Sequence, residues 1–353
     1  MEAQKRITYK LSETQEPYQL EENVRLEMPQ GHDVIIQVKA CVLDTNHVHL
    51  SSLFRELFLY DELPDVPVST EVSGVVSQVG PDVTRFSVGD DVVGMLSPSP
   101  GSSGACASFC TVSEYNIVKK PSKVTYADAA CCVGNGLQAF TALHYKANLC
   151  GGETVLVMNG ASGAGIMAIQ LAQLWGAKII TTAHSEEEKL FLESWRPEIG
   201  KIIDYTKLKI PLVDDCLNET AGTGVDCIID NGVDQFPKTD QNTITDIPTK
   251  HELVSCLAVG GRWITTQSDL QLDPPHSKML YMKGASLSFL FKDVWTLSKG
   301  QQGRFLHILT EVLDKVETGT LKPVVHHTVN FEDAISAIKN LHNFPVGNVV
   351  LVV

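Results

Sequence analysis

The segment LVMNGASGAGIMAIQLAQLWGAKIITTAH, Leu156 to His184, carries the residues whose types and spacing are best suited to chemistry. Gly160, Ala161, Ser162, Gly163, Ala164 and Gly165 fall between an apolar run, ETVLVM, and an amphipathic one, IMAIQLAQLWG. Small residues at a strand-to-helix turn let the backbone approach a diphosphate. The helix amino terminus adds unpaired N–H groups and a partial positive charge. Two registers fit. Gly163, Gly165 and Ala168 make a formal GxGxxA, whereas the strand and helix lengths favour Gly160, Ser162 and Gly165, with serine departing at the middle place. A lone glycine motif is weak; between a strand and a helix that leads to another strand it is strong.

The second strand, AKIITTA, ends at Ala183, followed by His184 and Ser185. NAD-preferring sites place an acid there to hold the ribose 2′-hydroxyl. Such an acid would repel a 2′-phosphate by roughly 4 kcal/mol per charge pair at about 4 Å and an effective dielectric near 20. Its absence favours NADPH over NADH. Ser185, Lys189 and Tyr205 are the candidate phosphate partners, with His184 joining them when protonated. Lys189 has an equal claim as a solvated helix lysine, and Glu186, Glu187 and Glu188 are expected to face solvent on the helix that follows.

Positioning such a site requires alternating strands and helices, and the chain supplies them from about Tyr126 onward. YADAACCVGNGLQAFTALHY has the pattern of helix, turn, helix; ETVLVMN, AKIITTA, GKIIDY, GVDCIIDNG, RWITTQ and ASLSFLF are strand-like and alternate with helical stretches. That alternation predicts a parallel sheet with helices on both faces. Before residue 124 the pattern differs: DVIIQVKACVL, VSGVVSQVG and RFSVGDDVVGML are short strands punctuated by Gly and Pro, which predicts an antiparallel barrel. The carboxyl-terminal stretch, from GRFLHILTEVLDKVETG to GNVVLVV, returns to that style. We therefore expect a barrel domain of residues 1–124 and 296–353 and a nucleotide-binding domain of residues 125–295.

Composition narrows the partners. The formal net charge of −14 argues against nucleic acid and anionic membranes, which require basic surface. No apolar run reaches the roughly 18 residues of a membrane span, and the polar start, MEAQKRITYKLSETQE, lacks a secretory pattern. Nine cysteines without CxxC pairs favour a reducing compartment. A cytoplasmic protein acting on a small-molecule substrate is the expectation.

The strings VKACVLDTNHV, VPVSTEVSGVVSQVGPDVTRFSVGDDVVG, GVDCIIDNG, LAVGGRWITT and LKPVVHHTVNFEDAISAI, with the glycine turn, fall in the order of the medium-chain dehydrogenase/reductase superfamily. Over nearly its whole length the chain resembles the zinc-free quinone oxidoreductase (zeta-crystallin-like) branch. The resemblance implies a GroES-like antiparallel β-barrel catalytic domain joined to a doubly wound Rossmann sheet. It also implies a homodimer paired through ASLSFLF. Zinc alcohol dehydrogenases of the superfamily take their catalytic ligands from three places that correspond here to Asp44, Thr70 and Gly134 or Asn135, of which at most Asp44 could serve. The pairs His47/His49 and His326/His327 are expected in surface or packing roles. By family position the acceptor cleft, expected between the domains, is lined by Asp44, Tyr60 and Thr70, with Asn135 and Gln138. Tyr60 is then the hydrogen-bond donor to the acceptor oxygen, Gln138 reaches a cofactor phosphate or the carboxamide, and Asp230 joins the cofactor-binding set. The polar insertion DQFPKTDQNTITDIPTK, residues 234–250, stands where relatives turn in a few residues. The implied activity is zinc-independent, NADPH-dependent hydride transfer to quinones or other electron-poor carbonyls and enones. Enoyl-thioester reduction, and NADP(H) binding with weakened catalysis, are the alternatives.

Overall fold

The computed structural model describes residues 4–10, 16–58, 66–99, 102–206, 212–233 and 247–353; Tyr60 and residues 234–246 of the polar insertion lie outside the described residues. The chain forms two compact units: Met1–Leu137 with Lys292–Val353, and Gln138–Phe291. The first division thus falls near the end of a helix rather than at the change of period near Tyr126.

In chain order, the first unit begins with β1 (Lys5–Tyr9), β2 (Tyr18–Glu22), β3 (Asp33–Leu43), α1 (Asn46–Phe58), β4 (Val66–Pro67), β5 (Glu71–Val79), β6 (Asp91–Met95), β7 (Phe109–Ser113), β8 (Ile117–Lys119) and α2 (Tyr126–Phe140). β3 is its spine, paired antiparallel with both β5 and β7. Val34, Ile36 and Val38 alternate into the core, as the two-residue period of a strand dictates. A register shift between Val38 and Ala40 then returns Cys41 and Leu43 to that core. Ala40 and Val42 instead pack with Ala130 and Cys131 of α2.

α2 corrects an expectation. Its glycines do not make a turn, and the helix runs unbroken to Phe140 before a π-helical turn over Thr141–Lys146. Close packing explains them. A Cβ on Gly134 would lie 2.1 Å from Glu71 Oε1, and one on Gly136 would lie 2.6 Å from Val312 Cγ1.

The second unit follows: β9 (Thr154–Val157), α3 (Gly163–Leu174), β10 (Lys178–Ala183), α4 (Glu186–Ser194), β11 (Lys201–Asp204), α5 (Leu212–Glu219), β12 (Val225–Asp230), α6 (Lys250–Cys256), β13 (Leu257–Thr265), α7 (Pro274–Lys283) and β14 (Ser286–Phe289). Its six-stranded sheet has the order β11-β10-β9-β12-β13-β14. All its pairings are parallel. This is the doubly wound order 3-2-1-4-5-6, which reverses direction between β9 and β12. Leu156, Ile180, Ile203, Ile228 and Trp263 are buried in one core cluster, because a sheet covered on both faces needs apolar residues throughout.

The chain then returns to the first unit with α8 (Val294–Leu297), α9 (Gln302–Glu317), β15 (Val325–Val329), α10 (Phe331–Lys339) and β16 (Asn348–Val352). β16 adds antiparallel to β3 and carries β15 parallel on its other side. That sheet is therefore not antiparallel throughout. No helix among the described residues is long and apolar enough to cross a membrane.

Candidate functional site

The second unit places its glycine turn at the reversal point of the sheet. Asn159, in the left-handed region at φ 55°, bends the chain out of β9. Ser162 is extended and caps α3: its Oγ accepts from Gly165 N–H at 3.1 Å and donates to Asn159 O at 2.8 Å. A Cβ at Gly160 would lie 1.9 Å from Thr181 Oγ1, and one at Gly165 would lie 2.3 Å from Asn159 O. These contacts give Gly160, Ser162 and Gly165 the geometric parts that the second register requires, with serine as helix cap. The Gly163 and Ala164 N–H groups open the first turn, where an α-helix offers them no internal acceptor. Gln138, Met158, Ala164, Gly165, Ala168 and Asn231 surround a small pocket of about water-molecule size at the carboxyl ends of β9 and β12. Ligands of doubly wound sheets bind at that position.

At the end of β10 the structure revises two expectations. Glu188 does not face solvent; it is buried, and its carboxylate accepts from His184 N–H at 2.7 Å while its own N–H donates to Ser185 Oγ at 3.1 Å. Ser185 thus caps α4, the Glu188 carboxylate satisfies the N–H of the residue before the cap, and burial raises the Glu188 carboxyl above its ordinary range. Tyr205 is 3% exposed and belongs to the core cluster. Burial pushes its hydroxyl up, with Glu252, Cys256 and Cys216 adding to the effect, and the side chain lies within the core rather than at the surface. Its ring lies 4.7 Å from that of His184. Lys189 keeps 28% of its side chain exposed and is paired with Asp204 at 3.3 Å and Glu186 at 3.7 Å.

Two further candidates are turned inward. Asp230 is fully buried: Oδ1 accepts from Thr265 Oγ1 and Gly232 N–H, both at 2.8 Å, and Oδ2 accepts from Trp263 Nε1–H. Its neighbour Asn231 lines the small pocket instead. In the first unit, Asn135 Nδ2 donates to Cys131 O and Asn348 Oδ1, both at 2.7 Å, so its amide donor is engaged within that unit.

The first unit gathers its charged residues around Glu71. Gly134 leaves room for the Glu71 side chain, which is 5% exposed. Lys292 Nζ donates to Glu71 Oε1 at 2.5 Å and lies 3.8 Å from Asp293 Oδ1; Thr70 Oγ1 donates to Glu71 Oε2 at 3.2 Å. Burial opposes ionisation of Glu71, yet the Lys292 ammonium and these hydrogen bonds hold its carboxyl below the ordinary value. Asp44 keeps 23% of its side chain exposed and accepts from Asn46 N–H and Nδ2, both at 3.0 Å. Desolvation first, then the Glu71 charge, pushes the Asp44 carboxyl up to about 7, with Lys292 opposing. A carboxylic acid that retains its proton near neutral pH is suited to proton donation.

The residues do not fit a catalytic zinc. A tetrahedral ion needs three protein ligands. Asp44, Thr70 and the Gly134–Asn135 place supply one carboxylate among them, and an ammonium lies against the neighbouring Glu71. No group of three His, Cys, Asp or Glu that could hold a metal occurs among the described residues. Among the histidine pairs, His47 is buried, His49 is exposed, and the His326 and His327 rings pack on Phe344. Sequence reasoning missed Glu71 and Lys292, and gave His47 only a surface or packing role as one of a histidine pair. Only Glu71, beside Thr70 in STE, carried a local signal.

Residues 30–131 match the alcohol dehydrogenase GroES-like domain family, and residues 199–351 match the zinc-binding dehydrogenase family. The chain belongs to the medium-chain dehydrogenase/reductase superfamily, a class of oxidoreductases. It is 42% identical to mouse quinone oxidoreductase-like protein 1 over 90% of this chain and 89% of that protein. Its fold is similar to the CurK enoyl reductase, with a TM-score of 0.81, 23% identity and 99% of each chain covered. It is likewise similar to a mycobacterial protein solved with NADPH, with a TM-score of 0.79, 24% identity, and 99% and 100% of the two chains covered.

Proposed function

We propose that this chain is a zinc-independent, NADPH-dependent oxidoreductase that reduces quinones or related electron-poor carbonyls and enones. The observation that carries this reading is the Ser162-capped α3 amino terminus, set behind a close-packed glycine turn at the point where the parallel sheet reverses direction. When bound, reduced nicotinamide supplies a hydride, two electrons with one proton. The chain's own residues divide the remaining work. Gly160 and Gly165 keep the turn low enough for a diphosphate. Gly163 and Ala164 present N–H groups, and Gln138 and Asn231 offer amides to the cofactor. Lys189, released from Asp204, and Ser185 offer a 2′-phosphate partner where β10 ends in alanine. In the first unit Asp44 donates the proton that accompanies the hydride. A quinone is already electron-poor, so such a site needs no Lewis acid. The name of the mouse relative and the NADPH in the mycobacterial neighbour support the same reading.

Titration of the purified protein with NADPH and NADH, followed by nicotinamide fluorescence, tests the cofactor half. Tighter binding of NADPH is expected. Equal affinities would remove the phosphate preference, and failure to bind either would end the reading. Binding without turnover across quinones and enones would favour the alternative of a nucleotide-binding protein with lapsed catalysis.

A further inference from the structure

His47 is 2% exposed, yet its ring is not surrounded only by carbon. Its Nε2 lies 3.0 Å from the Tyr18 hydroxyl, with the Tyr9 and Tyr18 rings edge-on at 5.1 and 5.5 Å. Its Nδ1 is buried without a hydrogen-bond partner and lies 4.0 Å from Asp44 Oδ1. An unmade hydrogen bond on a buried ring nitrogen is unfavourable, so simple packing at this position would be served better by phenylalanine. Burial lowers the imidazole to about 4, so it is neutral at working pH and carries one N–H. The Tyr18 contact admits either direction; the tautomer in which Tyr18 O–H donates to Nε2 places that proton on Nδ1, on the side of Asp44.

We propose that Tyr18, His47 and Asp44 form one line in which His47 is a positioning residue, presenting its Nδ1–H to the carboxylate left when Asp44 gives up its proton. The inference rests on Asp44 being the proton donor of the proposed reaction. In that step the Asp44 O–H bond breaks and its proton goes to the acceptor, which has gained two electrons as hydride from the reduced nicotinamide. The Asp44 carboxylate then swings toward Nδ1, closing the 4.0 Å gap and accepting one hydrogen bond beyond those from Asn46. No proton leaves His47, whose tautomer Tyr18 holds throughout. The other groups acting on Asp44 are Glu71, Lys292 and Asp293. Those acting on Tyr18 are Tyr9, Asp44 and Cys106. Glu71 and Asp293 oppose ionisation of Asp44, while Lys292 and a donor from His47 favour it.

The test reads the ionisation of Asp44 without turnover, so it is separable from the test of the activity itself. Carbon NMR titration of the full chain, with Asp44 assigned by Asp44→Asn, gives the wild-type midpoint. His47→Phe should raise that midpoint by half a unit or more, about threefold in proton affinity. His47→Asn, whose amide can replace Nδ1–H, should restore most of the shift. An unchanged midpoint in folded His47→Phe overturns the proposal. Nitrogen shifts of His47 in the wild type supply a measurement that needs no variant: the Nδ1-protonated tautomer is expected, and the Nε2-protonated one contradicts it. Activity that is absent while the midpoint shifts as expected would sink the proposed reaction, and with it the catalytic use of this line, but not the coupling of His47 to Asp44.

Discussion

Lys292 sits at the centre of the charge balance in the first unit, with its side chain 10% exposed and Glu71 at 2.5 Å. Removing one partner of a buried pair strands the other charge, which is destabilising by about 3–5 kcal/mol. Lys292→Met should therefore lower the urea midpoint strongly, and adding Glu71→Gln should restore much of the loss; two additive losses would show that the pair is not coupled. Asp44 behaves oppositely. Its folded-state carboxyl is raised, so its contribution to stability is full below the unfolded value and is lost as pH rises through about 7. Asp44→Asn should be little changed against wild type in urea near about pH 4 and more stable than it near about pH 8; a difference independent of pH would contradict the assignment. Residues of this kind were the least legible in the sequence. Glu71 and Lys292 are 221 positions apart, and no spacing rule joins them. Tyr205 and Asp230 had suitable types at suitable places, but their side chains turn into the core, where apolar contact and the Trp263 and Thr265 donors satisfy them. Ser162 went the other way: a departure from the glycine pattern became a helix cap.

At the scale of elements, the β9–α3–β10 unit was legible because its period changes from strand to helix at a run of small residues. Gly165→Ala would force a Cβ within 2.3 Å of the Asn159 carbonyl. A backbone atom cannot move aside cheaply, so a loss of about 1–3 kcal/mol or more is expected in chemical denaturation. Ser162→Ala should cost about 1 kcal/mol through the lost cap. Lys189→Ala should weaken NADPH binding more than NADH binding, and equal loss would assign Lys189 to its pairing with Asp204 alone. α2 was misjudged because glycine has two uses that a sequence does not separate. Gly134 and Gly136 permit close approach of Glu71 and Val312 without ending the helix.

For the whole molecule, the sheet of the second unit ends at β14, an edge whose flanking residues are unusually apolar. Tyr281, Met282 and Phe289 are 85%, 74% and 49% exposed. We propose that this edge pairs with its copy in a homodimer, since exposed strand edges and apolar patches favour symmetric pairing. Light scattering should give a dimer, and Tyr281→Glu with Phe289→Asp should give a monomer; a monomeric wild type would refute it. The central claim is that this chain moves hydride from NADPH to an electron-poor acceptor without zinc. The most direct test mixes chelator-treated protein with NADPH and an ortho-quinone and follows loss of the nicotinamide absorbance. Turnover that added zinc does not increase is predicted. NADPH bound but never oxidised, or oxidation appearing only when zinc is restored, would contradict it.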